Sequence, residues 1–118
     1  MFEFSSIEQY HAQLQEGNAT CLLAVNHYLQ RIHATKHLNA FIEVYSEEAT
    51  EKARQLDEKR RAGNRLGKLH GVIIGLKDVI CYHDHKIYAS SHILKYFISL
   101  YSATTIHRLL AEDAIILE

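Results

Sequence analysis

The sequence predicts an α/β fold in which N-terminal helices lead into strands joined by crossover helices, with a sheet left incomplete at the C-terminus. Three observations predict it. Helical periodicity runs through the first third of the chain, residues 71–81 form an apolar run of strand character, and residues 114–117 form a second one after a helical pattern. Strand, helix and strand in that order are the elements of a parallel crossover. With 118 residues, 47% hydrophobic and 23% charged, the chain is expected to form a single unit over 1–118 around one core.

The first helix is signalled by Ser5 and Ser6, since Ser5 with Glu8 or Ser6 with Gln9 can form a capping box. Ile7, Tyr10 and Leu14 then share a face before Gly17. A second start signal at residues 18–20 precedes Leu22, Val25, Leu29 and Ile32 at helical spacing, and the polar residues 33–36 end that pattern. Residues 38–45 (LNAFIEVY) are rich in β-branched and aromatic side chains and read as a strand. Ser46 is placed as the N-cap of a third helix, with Glu47 and Glu48 in its first turn, Lys59, Arg60 and Arg61 in its last, and Gly63 just after. Its Glu48/Lys52, Arg54/Glu58 and Asp57/Arg61 pairs are four apart. Ala49, Ala53 and Leu56 form only a narrow apolar stripe, so this helix is expected at the surface.

Residues 71–81 (GVIIGLKDVIC) read as a buried strand that reaches a polar site at Lys77 and Asp78. Two short helical patterns follow at residues 91–97 and 104–111, and residues 114–117 (AIIL) read as a second buried strand. With Glu118 the only residue after it, that strand is expected to lie uncovered, as in a chain cut from a larger sheet. The chain contains no proline, where average usage of about 5% gives about six, so its turns fall to Gly, Asn, Asp and Ser.

A formal charge of −1 supplies no excess of positive charge for binding a phosphate backbone, although nine histidines make the balance depend on pH. No apolar stretch approaches the ~18 residues of a membrane span. Residues 1–4 (MFEF) lack the basic start of a secretory signal, and two cysteines make a poor disulfide framework, so a reducing, cytoplasmic location is expected.

Lys77 is the foremost candidate for chemistry. A charge within an apolar run is desolvated, which disfavours the ammonium and suits a general base. The plainer alternative is an ion pair with Asp78 or another acid at a strand end. Cys81, His83 and His85 share a parity that would let them act as soft metal ligands, but no second pair stands at a zinc spacing, and a solvated turn around Asp84 explains them better. No metal is assigned. Neither a dinucleotide-binding nor a P-loop pattern occurs. Ser90 and Ser91 are better placed to cap the following helix than to act as nucleophiles, and Tyr96, Phe97 and Tyr101 are spaced as a packing face.

Several ordered segments carry a resemblance: YLQRI at 28–32, LNAFI at 38–42, GKLHGVIIGLKD at 67–78, ASS at 89–91, IL at 93–94, SAT at 102–104 and RLLAEDAII at 108–116. In this order they resemble the N-terminal part of the amidase-signature enzymes, and within that family the glutamine-hydrolysing subunits of tRNA-dependent amidotransferases. The resemblance implies a partial amidase-signature fold and a Ser, cis-Ser and Lys triad, in which Lys77 matches the lysine that relays protons through the bridging serine to activate the nucleophile. Ile stands where the family often has proline between Gly71 and Lys77, and His83 also departs from the usual residue.

Both serines and the oxyanion-hole backbone would lie downstream of residues 114–117, so the chain alone, read as an N-terminal fragment of such a domain, is expected to be inactive. The resemblance further implies partner subunits B and C, contact with tRNA only through that complex, and ATP and Mg bound through one of those partners, with no cofactor in this chain. It implies no membrane. A general amidase of small amides and a non-catalytic truncated module that self-associates through an exposed strand edge are the alternative readings.

Overall fold

In a computed structural model the chain is described over residues 3–118; Met1 and Phe2, part of the start expected to lack a signal, lie outside the described residues. Helix α1 (Ile7–Glu16) begins where the Ser6 hydroxyl accepts the Gln9 N–H at 3.1 Å. Gln9 Oε1 reaches back to accept the Ser5 N–H at 2.9 Å, so the cap is Ser6 with Gln9 and its return bond falls on Ser5. Helix α2 (Cys21–Ala34) starts on Thr20, whose hydroxyl accepts the Leu23 N–H at 3.0 Å.

Helix α3 (Ser46–Arg61) lies against α2 through Ala49, Ala53 and Leu56, all buried with Ala24 and Val25. The small side chains let the helices approach closely, so the narrow stripe is buried against α2 while Glu47, Glu48, Glu51, Arg54 and Glu58 stay exposed, as expected of a helix at the surface. Tyr45, not Ser46, occupies the N-cap, with no side-chain cap. The Tyr45 N–H donates to the Leu117 carbonyl at 2.8 Å, and the Tyr45 carbonyl accepts the Ala49 N–H at 2.9 Å, so a tertiary bond sets where the helix starts. The expected four-apart ion pairs give way to other partners. Arg54 meets Glu51 at 3.7 Å, Asp57 meets Arg60 at 2.9 Å, and Glu48 turns to His85.

Residues 38–45 do not form the expected strand. A 3-10 turn (Lys36–Leu38) precedes Asn39, which takes a left-handed φ of 51°, and Tyr45 alone bonds a strand. Without a run of partners, β-propensity has no ladder to join, and Leu38, Phe41 and Ile42 stay exposed.

Strand β1 (Ile73–Ile74) runs parallel to β2 (Ile115–Ile116), with Ile73 opposite Ile115 and Ile74 opposite Ile116. Bonds from Ile115 N–H to Val72, Leu117 N–H to Ile74 and Leu76 N–H to Glu118 form the ladder, at 2.8–3.0 Å. The expected strand over 71–81 is therefore short. After the Leu76 rung the chain turns, and the Ile80 N–H donates to the Lys77 carbonyl at 3.0 Å.

Residues 114–117 are all buried, with β1 on one side and the Tyr45 N–H on the other, which corrects the expectation of an uncovered strand. Helix α4 (Thr104–Ala111) lies between the two strands in the chain, as expected of a crossover. The helix expected over 91–97 is only a 3-10 turn (His92–Leu94), and neither Ser90 nor Ser91 caps it with a side chain. Ala89 and Ser90 both hold left-handed φ, and the bridge between Lys86 and Ile98 draws this segment into a hairpin-like return. Ile93, Tyr96, Leu100 and Tyr101 are consequently exposed, so the expected packing face is not part of the core among the described residues. Among the described residues no helix is long and apolar enough to cross a membrane.

Asp57 joins the two long helices: its carboxylate accepts the Cys21 N–H at 2.8 Å and the Leu22 N–H at 3.1 Å, while Arg60 neutralises it. It thus caps α2 from α3, where a carboxylate meets both unpaired N–H groups and the positive end of the helix dipole. Asp57→Ala takes the carboxylate from both N–H groups and leaves the Arg60 charge uncompensated, and is expected to cost about 3 kcal/mol. A lowered urea midpoint followed by circular dichroism checks this, and an unchanged midpoint would show the cap to be idle.

Candidate functional site

Lys77 follows directly on the last rung of the β1–β2 ladder. The apolar run does not bury it: its side chain is exposed, because the chain turns away from the sheet there. Nor does it pair with Asp78, since among the described residues Lys77 makes no ion pair. Asp78 is committed elsewhere. Its carboxylate accepts the Tyr88 N–H at 3.0 Å and the Ala89 N–H at 3.1 Å.

Lys77 lines a small cleft with Glu43, Tyr45, Asp78, Lys86 and Glu118. Burial pushes the Tyr45 hydroxyl up to about 12, helped by Glu43, Glu48, Asp78 and Tyr82. Burial also raises Glu118, with Asp78 adding to it. Glu43 Oε2 is buried with no hydrogen-bond partner. The cleft, which Tyr82 and Tyr88 also line, thus gathers carboxylates, tyrosines and two lysines around the end of a strand.

Cys81, His83 and His85 are not brought together. His85 stacks on Tyr82 with ring centres 3.9 Å apart, crosses Tyr45 edge-on, and places Nε2 2.7 Å from a Glu48 oxygen. Its Nδ1 lies 2.7 Å from the His83 carbonyl oxygen. His83 is exposed and faces Asp84 at 3.2 Å. Among the described residues no group of three His, Cys, Asp or Glu side chains is placed to hold a metal ion.

The sequence reasoning missed a buried polar chain at the start of the strand pair, the other end from Lys77. Asp113 accepts Lys59 Nζ at 2.8 Å and the Gly67 N–H at 2.8 Å, and lies 3.2 Å from His70 Nδ1. His70 Nε2 stands 3.8 Å from Cys21 Sγ, and Arg60 donates to that sulfur at 3.8 Å. With Nδ1–H given to the carboxylate, the neutral ring accepts from the thiol.

Cysteine, histidine and aspartate in this order could suggest a nucleophile, but Cys21 is fully buried and its thiol is pushed up to about 12, by burial first and then by Asp57. A sealed, protonated thiol is inert, so the chain is structural. Close approach fixes it in place: a Cβ on Gly71 would fall 2.5 Å from Cys21 Sγ and 2.9 Å from the Tyr10 hydroxyl, at a φ of +73°. The one local signal for it was a histidine beside a glycine, which in isolation reads as a turn.

Comparison with known proteins places these features in context. The family model described as Amidase matches residues 24–117. The A subunit of the glutamyl-tRNA(Gln) amidotransferase of Chlorobium chlorochromatii is 41% identical over 98% of this chain and 24% of its own length. That of Chlorobaculum tepidum is 38% identical over 96% of this chain and 24% of its own length. The chain therefore spans about a quarter of the length of the curated relatives it matches. Among solved structures, a peptide amidase from Stenotrophomonas maltophilia aligns at a TM-score of 0.87 with 29% identity, over 96% of this chain and 24% of that one. A bacterial aryl acylamidase aligns at a TM-score of 0.84 with 21% identity, over 96% and 24%, and shares the fold.

The buried chain makes stability depend on pH in two windows. Burial holds His70 below its ordinary 6.5 although Asp113 pulls it the other way. The unfolded chain then takes up that proton first, so this contribution is full above about 6.5 and is lost as pH falls through the lower folded value. Burial would raise Asp113, but bonds from Lys59, Gly67 and His70 outweigh it and hold the group below 3.8. Its contribution is present above about 3.8 and disappears as pH falls further. Urea midpoints measured from neutral pH downward are expected to fall in both windows, and His70→Gln should remove its share of the first while lowering stability at neutral pH. Identical pH slopes for the variant and the parent would contradict this role.

Proposed function

The chain belongs to the amidase family, and from that premise we propose that it is the N-terminal part of the glutamine-hydrolysing A subunit of a tRNA-dependent amidotransferase, with Lys77 as the base of its triad. The observation that carries the reading is the uncommitted amine of Lys77 at the end of β1, in the segment where the family motif lies. The names of the relatives, each the A subunit of a glutamyl-tRNA(Gln) amidotransferase, support the substrate class.

In this reading the neutral Lys77 amine accepts a proton through a bridging serine from a nucleophilic serine, which attacks the glutamine side-chain carbonyl. The proton returns to the leaving nitrogen, ammonia departs, and water hydrolyses the acyl-enzyme. Neither serine matches a residue of these 118, so the stretch alone supplies a base without a nucleophile and is expected to be inactive. Lys77 is exposed on this stretch, and the role of base calls for a covered, desolvated amine. Released ammonia would amidate Glu-tRNA(Gln) or Asp-tRNA(Asn) in a complex with subunits B and C. ATP, Mg and the tRNA would be held by those partners, which accords with a formal charge of −1 here.

A second reading, an amidase acting on small amides, draws support from the likeness to the peptide amidase. Assay of the full-length protein on glutamine and on a C-terminal peptide amide separates the two by which is hydrolysed. In that protein Lys77→Ala should lower amide hydrolysis by at least about 10²-fold, the range typical of a lost general base, with an unchanged circular dichroism spectrum. Activity retained by Lys77→Ala would overturn the assignment. The 118 residues alone should release no ammonia from glutamine.

A further inference from the structure

We propose that Asp78 is a positioning residue, whose clamp on the backbone of residues 88–89 sets the place of Lys77 and withholds its own carboxylate from the amine. The proposal rests on Lys77 being the base. A carboxylate one residue from a lysine can reach its ammonium where the chain turns, and such a pair would hold the ammonium form. Here that carboxylate is used otherwise. One oxygen accepts the Tyr88 N–H at 3.0 Å, the other accepts the Ala89 N–H at 3.1 Å, and the Asp78 carbonyl also lies 3.1 Å from the Ala89 nitrogen. The Ile80 N–H closes the turn onto the Lys77 carbonyl at 3.0 Å. Lys77 is thus fixed on both sides, by the sheet rung at Leu76 and by the clamp at Asp78.

The loop that receives the clamp is strained. Ala89 and Ser90 hold φ of 46° and 55° in succession, and neither is a glycine. Side chains rarely adopt the left-handed region, and consecutive non-glycine residues there persist only when the surroundings impose them. The charge-assisted bonds from Tyr88 and Ala89, with the Ser91 N–H donating to the Tyr88 carbonyl at 2.8 Å, supply that constraint. Strain held by an acidic residue next to the candidate base is the pattern of a preorganised site, because a reacting group must be held to within a fraction of an ångström. A purely structural turn would be met more simply by glycine at position 89 or 90.

The test compares Asp78→Asn, Asp78→Glu and Lys77→Ala in the full-length protein, by glutamine hydrolysis across pH and by hydrogen exchange at the Tyr88 and Ala89 amides. Asn presents an N–H₂ group to one of the two backbone donors, so Asp78→Asn should speed exchange at those amides. It should also lower kcat by about 10²-fold with KM unchanged. Asp78→Glu keeps the charge and should recover part of kcat. Wild-type kcat in Asp78→Asn, or a rise in KM alone, with Lys77→Ala inactive, overturns the positioning role and leaves the base assignment standing. Activity in Lys77→Ala overturns both. If Asp78→Asn melts below the assay temperature, Asp78→Glu decides: reduced kcat with a native melting curve supports the role, and wild-type kcat overturns it.

Discussion

A buried carboxylate must have its lone pairs met, and Asp113 meets that requirement by drawing three segments to one point. Lys59 comes from α3, the Gly67 N–H from the connection after it, and His70 from the approach to β1. Asp113 itself precedes β2, so its side chain brings the two strands to the register in which the Gly71 N–H donates to the Asp113 carbonyl at 3.0 Å. Unpaired, such a charge would be costly to bury, so the arrangement is specified far more tightly than apolar contact alone would specify it.

From that point the polar chain passes through His70 and Cys21 to Arg60 and Asp57, and Asp57 closes it by capping α2. The apolar core grows around this line. Tyr10, Leu14, Val25, Leu56, Ile115 and Leu117 pack beside it, and Gly67 passes so close to the Glu112 backbone that a side chain there would clash. The same residues that hold the helices together therefore orient β1, and β1 delivers Lys77 to the cleft.

Much of this was legible in the sequence. The start signals at residues 5–6 and 18–20, the helical stripes of α1, α2 and α4, and the parallel pairing of two short apolar runs follow from spacing and residue type, which act over a few neighbouring residues. Lys77 stood out as a charge in an apolar run, and the family resemblance assigned it a role. Where the expectations failed, a distant group had intervened. Residues 38–45 carry strand-forming side chains but meet a partner only at Tyr45, and the Asp57/Arg61 and Glu48/Lys52 pairs lost out to Arg60 and the α2 terminus and to His85.

The sequence by itself determined the local alphabet of the protein: which stretches coil, where α1 and α2 begin, and which family the chain resembles. Those properties depend on contacts between residues a few positions apart. Tertiary structure alone decided that Asp57 caps α2 across 36 residues, that Asp113 and His70 meet across 43, and that Asp78 spends its carboxylate on the loop at 88–89 rather than on Lys77. A buried hydrogen-bonding group takes whichever partner the fold brings within reach, and sequence separation says little about which one that will be.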